Sequence, residues 1–143
     1  MRVVIRHSCP RNVAFVPREP RVSTDPRHVL GRDGERYARE HLERLGFAVV
    51  AANFRTRHGE LDLVAFDGRT LVFAEVKARR AAGGSPWWNL GQAKCRQVRA
   101  MAREWLATTT DRPRAAALRM DAIGVTVDRQ GRLASLEHLE NAF

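Results

Sequence analysis

Apolar residues recur along this chain with two different periods, and the changes of period mark out its elements. Over residues 31–46, GRDGERYAREHLERLG, Ala38, Leu42 and Leu45 share the spacing of one helical stripe that stops at Gly46. FAVVAANF, ELDLVAF and TLVFAEVKA are expected strands, the last two flanking Asp67-Gly68, a strong hairpin signal. AAGGSPWW is a loop, and a long helix is expected from Asn89 to Ala107 with Val98, Met101 and Trp105 on one stripe. AALRMDAIGVTVD then predicts a strand, DRQG a turn, and RLASLEHLENAF a closing strand with a tail. The order α-β-β-β-α-β-β predicts an α/β domain, a mixed sheet flanked by helices. Residues 1–30 lack clear periodicity and hold six Arg, four of the six prolines and only two acids, the pattern of a flexible basic arm. The domain is therefore placed at 31–143.

One strand breaks its own pattern. LVFAEVKARR begins as a buried strand, then carries Glu75 and Lys77 two residues apart. With a two-residue loop at Asp67-Gly68, residue 66 pairs with 69, 64 with 71, 62 with 73 and 60 with 75. Asp62, Glu75 and Lys77 then fall on one face, with Asp62 and Glu75 diagonal neighbours ~7–8 Å apart at the backbone. Two carboxylates so placed can reach one hard cation, and Mg²⁺ needs little more from the protein, because water and phosphate complete its shell. Lys77 would lie where an attacking water or a phosphate oxygen sits, able to orient the one or offset charge on the other. Glu35 lies on the apolar stripe of the first helix, and Lys94 heads the stripe Lys94, Val98, Met101, Trp105 of the second.

Each of these has a plainer reading. An acid in a first helical turn is favoured by the macrodipole, Glu-x-Lys on a strand is commonly a solvated ion pair, and Lys94 could snorkel past Trp87 or Trp88. His58 fits a surface loop as well as a base. Trp87 and Trp88 could stack on bases or fill a core, and Cys95 suits a small helical hydrophobe.

The charge balance weighs on the choice. A net charge of +9 favours polyanionic partners, nucleic acid before membrane. No apolar run approaches the roughly 20 residues of a membrane span. Cys9 and Cys95 match no metal-ligand spacing and form no disulfide framework, and no secretory signal opens the chain, so a cytoplasmic setting is expected. Arg55, Arg79 and Lys94 are the candidate nucleic-acid contacts.

The hairpin GELDLVAFDGRTLVFAEVKAR resembles the core of the PD-(D/E)XK nuclease superfamily. The wider pattern of GRDGERYAREHLERLGF, NFRTRHGELDLVAF, LVFAEVKAR, the helix with Lys94, LRMDAIGV and LENAF resembles the YraN-like family of bacterial proteins. This resemblance spans about residues 31–143. It implies a restriction-endonuclease-like fold, similar to archaeal Holliday junction resolvases. It also implies Asp62 and Glu75 as metal ligands, Lys77 as the catalytic lysine, and Glu35 as an acid completing the site. Asp121 matches an acid of the family pattern without a role attached, and Leu61 stands where the superfamily often has proline.

The expected function is Mg²⁺- or Mn²⁺-dependent hydrolysis of phosphodiester bonds in DNA, rather than RNA, with branched or damaged DNA as substrate by analogy. The alternative is a catalytically silent nucleic-acid-binding module of the same fold. A third reading is an interaction subunit using exposed tryptophans. An exposed strand edge or Trp87–Trp88 could also make a homodimer.

Overall fold

The structure, a computed structural model, describes residues 25–82 and 90–143. Trp87, Trp88 and most of the expected arm and loop lie outside the described residues. The first element, α1 (Pro26–Arg44), starts five residues before the expected boundary at Gly31. Asp25 caps it by accepting the Arg27 N–H at 2.9 Å, and Pro26 stands at a first-turn position that needs no donor. Residues 26–30 therefore belong to the folded domain and not to the arm. At the other end Gly46, with φ +90°, lets the Gly46 N–H reach the Glu43 carbonyl and the Phe47 N–H the Leu42 carbonyl. That is a left-handed helix stop, sealed by packing of Phe47 and Leu42 in one apolar cluster. Leu45 falls on this cap and is 51% exposed, so the buried stripe is Gly34, Ala38 and Leu42 without it.

The remaining elements are β1 (Ala48–Thr56), β2 (Gly59–Phe66), β3 (Thr70–Arg80), α2 (Gln92–Thr108), β4 (Ala117–Val127) and β5 (Leu133–Leu139). They follow the order expected, with α2 beginning three residues later than Asn89. Among the described residues the sheet is ordered β1-β2-β3-β4-β5; only β3 and β4 are parallel there, and α2 lies in the crossover between them. One apolar cluster lies between α1 and the sheet, around Leu42, Leu63, Val72, Ile123 and Val125. The other lies under α2, around Val64, Phe73, Val98, Met101 and Trp105. β4 is accordingly buried from Asp121 through Val127, as a strand covered on both faces must be.

At Gly34 α1 packs tightly on the sheet, since a Cβ added there would meet the Ala78 Cβ at 2.5 Å. Neither atom can rotate away. Gly34→Ala gains up to about 1 kcal/mol of helix propensity but overpacks this contact by about 1–3 kcal/mol. Net destabilisation is expected, read as a lower urea midpoint at unchanged slope.

The β2–β3 hairpin differs from the expected register. Phe66 pairs with Leu71 and Val64 with Phe73, two residues away from the expected partners 69 and 71. The cause is Asp67, whose carboxylate accepts the Arg69 and Thr70 N–H groups at 2.8 and 2.6 Å. With Gly68 at φ +97°, the turn becomes four residues long. A slip of two keeps every side chain on its face, where a slip of one would have reversed them all.

Pairing between β2 and β3 extends no further from the turn than Leu63–Ala74. Beyond it β2 stays with β1 to Gly59, and β3 stays with β4 to Arg80. The sheet forks there. Glu60, expected opposite Glu75, instead faces Arg55 on β1, 3.4 Å from its guanidinium.

Candidate active site

The fork is where the charged residues gather. Its geometry starts from Asn53, which takes φ +52°, a conformation asparagine tolerates better than most residues. Asn53 lies between the pairs Ala52–Leu63 and Phe54–Leu61, across β1 from Asp62. Side-chain alternation in β2 breaks at the same level, with Leu63 and Ala65 packed on the α1 side but Leu61 and Val64 both on the α2 side. Asp62 sits at this break, so its position is set by the irregularity and not by strand parity. Its carboxylate accepts the Val76 N–H at 2.7 Å, a donor on β3 that the departing strand would otherwise leave unpaired.

Glu75 and Lys77 share one face of β3, as expected, and that face is on the side of α2, with Arg79 next in the same row. Glu75 is 5% exposed, and its Oε1 receives the Lys77 ammonium at 2.8 Å and the Lys94 ammonium at 2.6 Å. Lys94 thus points inward from the first turn of α2, as its stripe predicted, and its partner is a carboxylate. A buried carboxylate needs such company. Asp62 has less of it. Burial and the neighbouring charge of Glu75 push its carboxyl up to about 7, with Glu35 adding and the Val76 N–H and Lys77 opposing. Glu35 accepts a hydrogen bond from the Asn53 side chain at 3.0 Å.

This shift fixes a sign. A carboxyl near 7 when folded and near 3.9 when unfolded keeps its proton in the native state, so stability falls as pH rises from about 4 through 7. Asparagine at 62 can still accept the Val76 N–H without ionising. Asp62→Asn is expected to raise stability by about 1–3 kcal/mol at pH 8 and to leave it nearly unchanged at pH 4, read from urea melts at both.

The donor set fits a hard divalent cation in part. Asp62 and Glu75 are neighbouring carboxylates, and Asp62, with no ion pair among the described residues, is driven toward neutrality by burial and by the charge of Glu75. Among the described residues, no three His, Cys, Asp or Glu side chains assemble a metal site by themselves. An ion bound here would be held by these two carboxylates alone, with its shell completed from outside the protein.

The remaining candidates fall elsewhere. Arg55 is a 90% exposed side chain on β1 beside Glu60. His58 lies in the β1–β2 turn, 3.1 Å from the Arg57 guanidinium, and lines an open groove of about 530 Å³ with Arg103, Glu104 and Thr108. That groove includes none of Asp62, Glu75 or Lys77. Cys95 packs partly buried against the α2 cluster, as expected of a small hydrophobe.

Sequence reading left Asp121 without a role and passed over its partners. Asp121 is fully buried, bound by Arg119 Nε at 3.0 Å to each oxygen, by His138 Nε2 at 2.8 Å and by the Asn141 N–H at 3.1 Å. Burial alone would raise this carboxyl; His138, Arg119 and Asn141 outweigh it and hold it below the usual range. The far nitrogen of His138 lies 3.1 Å from Nε2 of His41, so the network ties β4 and β5 to the end of α1. Burial, with His138 and Arg44 close by, holds the His41 imidazole below its usual value. An aspartate inside an apolar strand was the available signal, since such a group must be paired.

Among the described residues, no helix is long and apolar enough to cross a membrane. Residues 34–125, which span the fork, Lys94 and Asp121, match the Uncharacterised protein family UPF0102. A UPF0102 protein of Acidothermus cellulolyticus is 39% identical over 126 residues, covering 82% of this chain and 95% of the relative. One of Geobacter metallireducens is 41% identical over 115 residues, covering 80% and 91%. One of Streptomyces griseus is 43% identical over 109 residues, covering 73% and 88%. With the match running from within α1 into β4, across the strands that hold the site, this chain belongs to the YraN-like family UPF0102.

Proposed function

We propose that this protein is a metal-dependent nuclease of the PD-(D/E)XK type, hydrolysing phosphodiester bonds in DNA in preference to RNA. The observation that carries the reading is the pairing at the fork: buried Glu75 held by two ammoniums, beside an Asp62 carboxyl that has no ion pair among the described residues. Asp62 and Glu75 are the residues to hold Mg²⁺ or Mn²⁺. Glu35 acts on the same centre through its charge. When bound, such an ion polarises a phosphoryl oxygen and lowers the pKa of water. Lys77, on the more open side of Glu75 with its side chain 35% exposed, orients the attacking water and offsets the charge that grows on the phosphate. Arg79, next in the Lys77 row, and Arg55 at the hairpin flank are the phosphate contacts of this reading.

Branched or damaged DNA is the proposed substrate, since nothing in the described fold reads base edges. Cleavage of both strands would take two sites, which a homodimer would supply. The setting is cytoplasmic.

One observation favours a second reading, a silent nucleic-acid-binding module. Glu75 is already neutralised by two lysines, as a purely structural carboxylate would be. Chelation separates the two. Cleavage of labelled duplex, four-way junction, single-stranded DNA and RNA should require Mg²⁺ or Mn²⁺ and stop in EDTA if the protein is a nuclease. A binding module would cut none of them, and its affinity would follow salt concentration alone.

A further inference from the structure

Lys77 and Lys94 differ in ways that bear on how this site takes up a cation. Both approach the same oxygen of Glu75, at 2.8 and 2.6 Å. Lys77 comes from the same strand, two residues along, with its side chain 35% exposed. Lys94 comes from α2, across the core, and its side chain is only 15% exposed. An ammonium so far withdrawn from water is stable only while a negative group faces it. Among the described residues its one ion-pair partner is Glu75.

From this geometry we infer that Lys94 is a built-in cation surrogate, occupying Glu75 until a divalent ion takes its place. The inference rests on the metal-dependent reading of Asp62 and Glu75. A divalent ion drawing on Glu75 must overcome the field of an ammonium already seated on the carboxylate, so Lys94 weakens metal binding by competing with it. Once the ion is seated, it draws on the negative charge that Lys94 faces, while Lys94 stays largely withdrawn from water. The group that restores that charge is an anion arriving at the same centre, and a phosphodiester is such an anion. Metal and polyanion then favour one another's binding, because each supplies what the other removes. The protein alone holds the ion weakly, and the complex with nucleic acid holds it well. Lys94 is in this sense a positioning residue, acting through Glu75, distinct from Lys77 beside the reacting atoms.

The test is Mn²⁺ binding to the full chain without nucleic acid, followed by titration calorimetry for wild type, Lys94→Gln and Lys94→Arg. Lys94→Gln removes the competing charge and should bind Mn²⁺ about tenfold or more tightly than wild type, because like charges a few ångström apart in a half-buried site are poorly screened from one another. Lys94→Arg keeps the charge and should bind as weakly as wild type. Circular dichroism establishes that each variant is folded, and if Lys94→Gln is not, Lys94→Met takes its place in the comparison. Equal affinities for wild type and the neutral variant, or weaker binding by the neutral variant, would overturn the role of Lys94 and leave the metal site standing. Absence of Mn²⁺ binding in all of them, at concentrations that support no shift in melting temperature either, would overturn both.

Discussion

Replacing Lys77 with alanine is expected to lower metal-dependent cleavage by about 10²–10³-fold, the usual cost of removing one charge-stabilising donor from a transition state. The loss should fall on kcat, with KM little changed, since in the proposed reaction the ammonium would act on charge that develops in the transition state. It should not come from unfolding. Lys77 is the more exposed of the two lysines on Glu75, and Lys94 remains at 2.6 Å when it is gone. A change in stability below about 1 kcal/mol is expected, as for other partly exposed ion pairs. A variant that melts as wild type does and still binds duplex, yet cuts slowly, is the predicted outcome. A variant that cuts at the wild-type rate would remove Lys77 from the chemistry.

Asp121→Ala should have the largest effect on the fold itself, a loss of about 3–5 kcal/mol, because it removes the fully buried acceptor that Arg119, His138 and the Asn141 N–H share. Arg119 loses bonds to both carboxylate oxygens, and His138, whose side chain is 9% exposed, loses its partner at 2.8 Å. Domains of this size have about 5–15 kcal/mol in total, so the variant should stand near the edge of folding. The sign of its pH dependence also follows. A carboxyl held below its ordinary range contributes stability that is present above the unfolded value near 4 and disappears as pH falls through the folded value. Wild type should therefore lose stability on acidification more steeply than the variant. Chemical melts at pH 7 and at stepwise lower pH test both points; a loss under about 1 kcal/mol would show the network to be dispensable.

The contrast between these two sites marks how far the amino-acid pattern reached. Local signals placed the elements. The apolar stripes, the Gly46 stop and the Asp67-Gly68 turn are properties of neighbouring residues, and they placed the elements in their order. Lys94 was legible for the same reason, since a charge at the head of an apolar helical stripe must turn inward to a partner. Even the start of α1 was written in Asp25-Pro26, a cap followed by a residue suited to the first turn.

What escaped was set by atoms distant in the chain or by the competition of one side chain with the backbone. The Asp67 carboxylate captured two N–H groups and lengthened the turn, which shifted the register by two residues. Even parity alone kept Glu75 and Lys77 on the expected face. The fork has no local signature, because it is a disagreement between two pairings, β2 with β1 and β3 with β4. Asp62 was placed beside Glu75 by alternation, and the structure brings it there through a break in alternation. Asp121, His138 and His41 could not be joined from spacing, as His41 and His138 stand 97 residues apart.

The central claim, that the fork is a metal-dependent phosphodiesterase centre, is tested most directly by one cleavage measurement. Wild type and Lys77→Ala, purified identically, are incubated with end-labelled four-way junction and linear duplex in Mn²⁺, with EDTA added to a matched set. Cutting by wild type that stops with EDTA and falls about 10²–10³-fold in the variant is the predicted result. Equal cutting by both proteins would assign the activity to something other than this site, and no cutting by wild type in Mn²⁺ would contradict the claim outright.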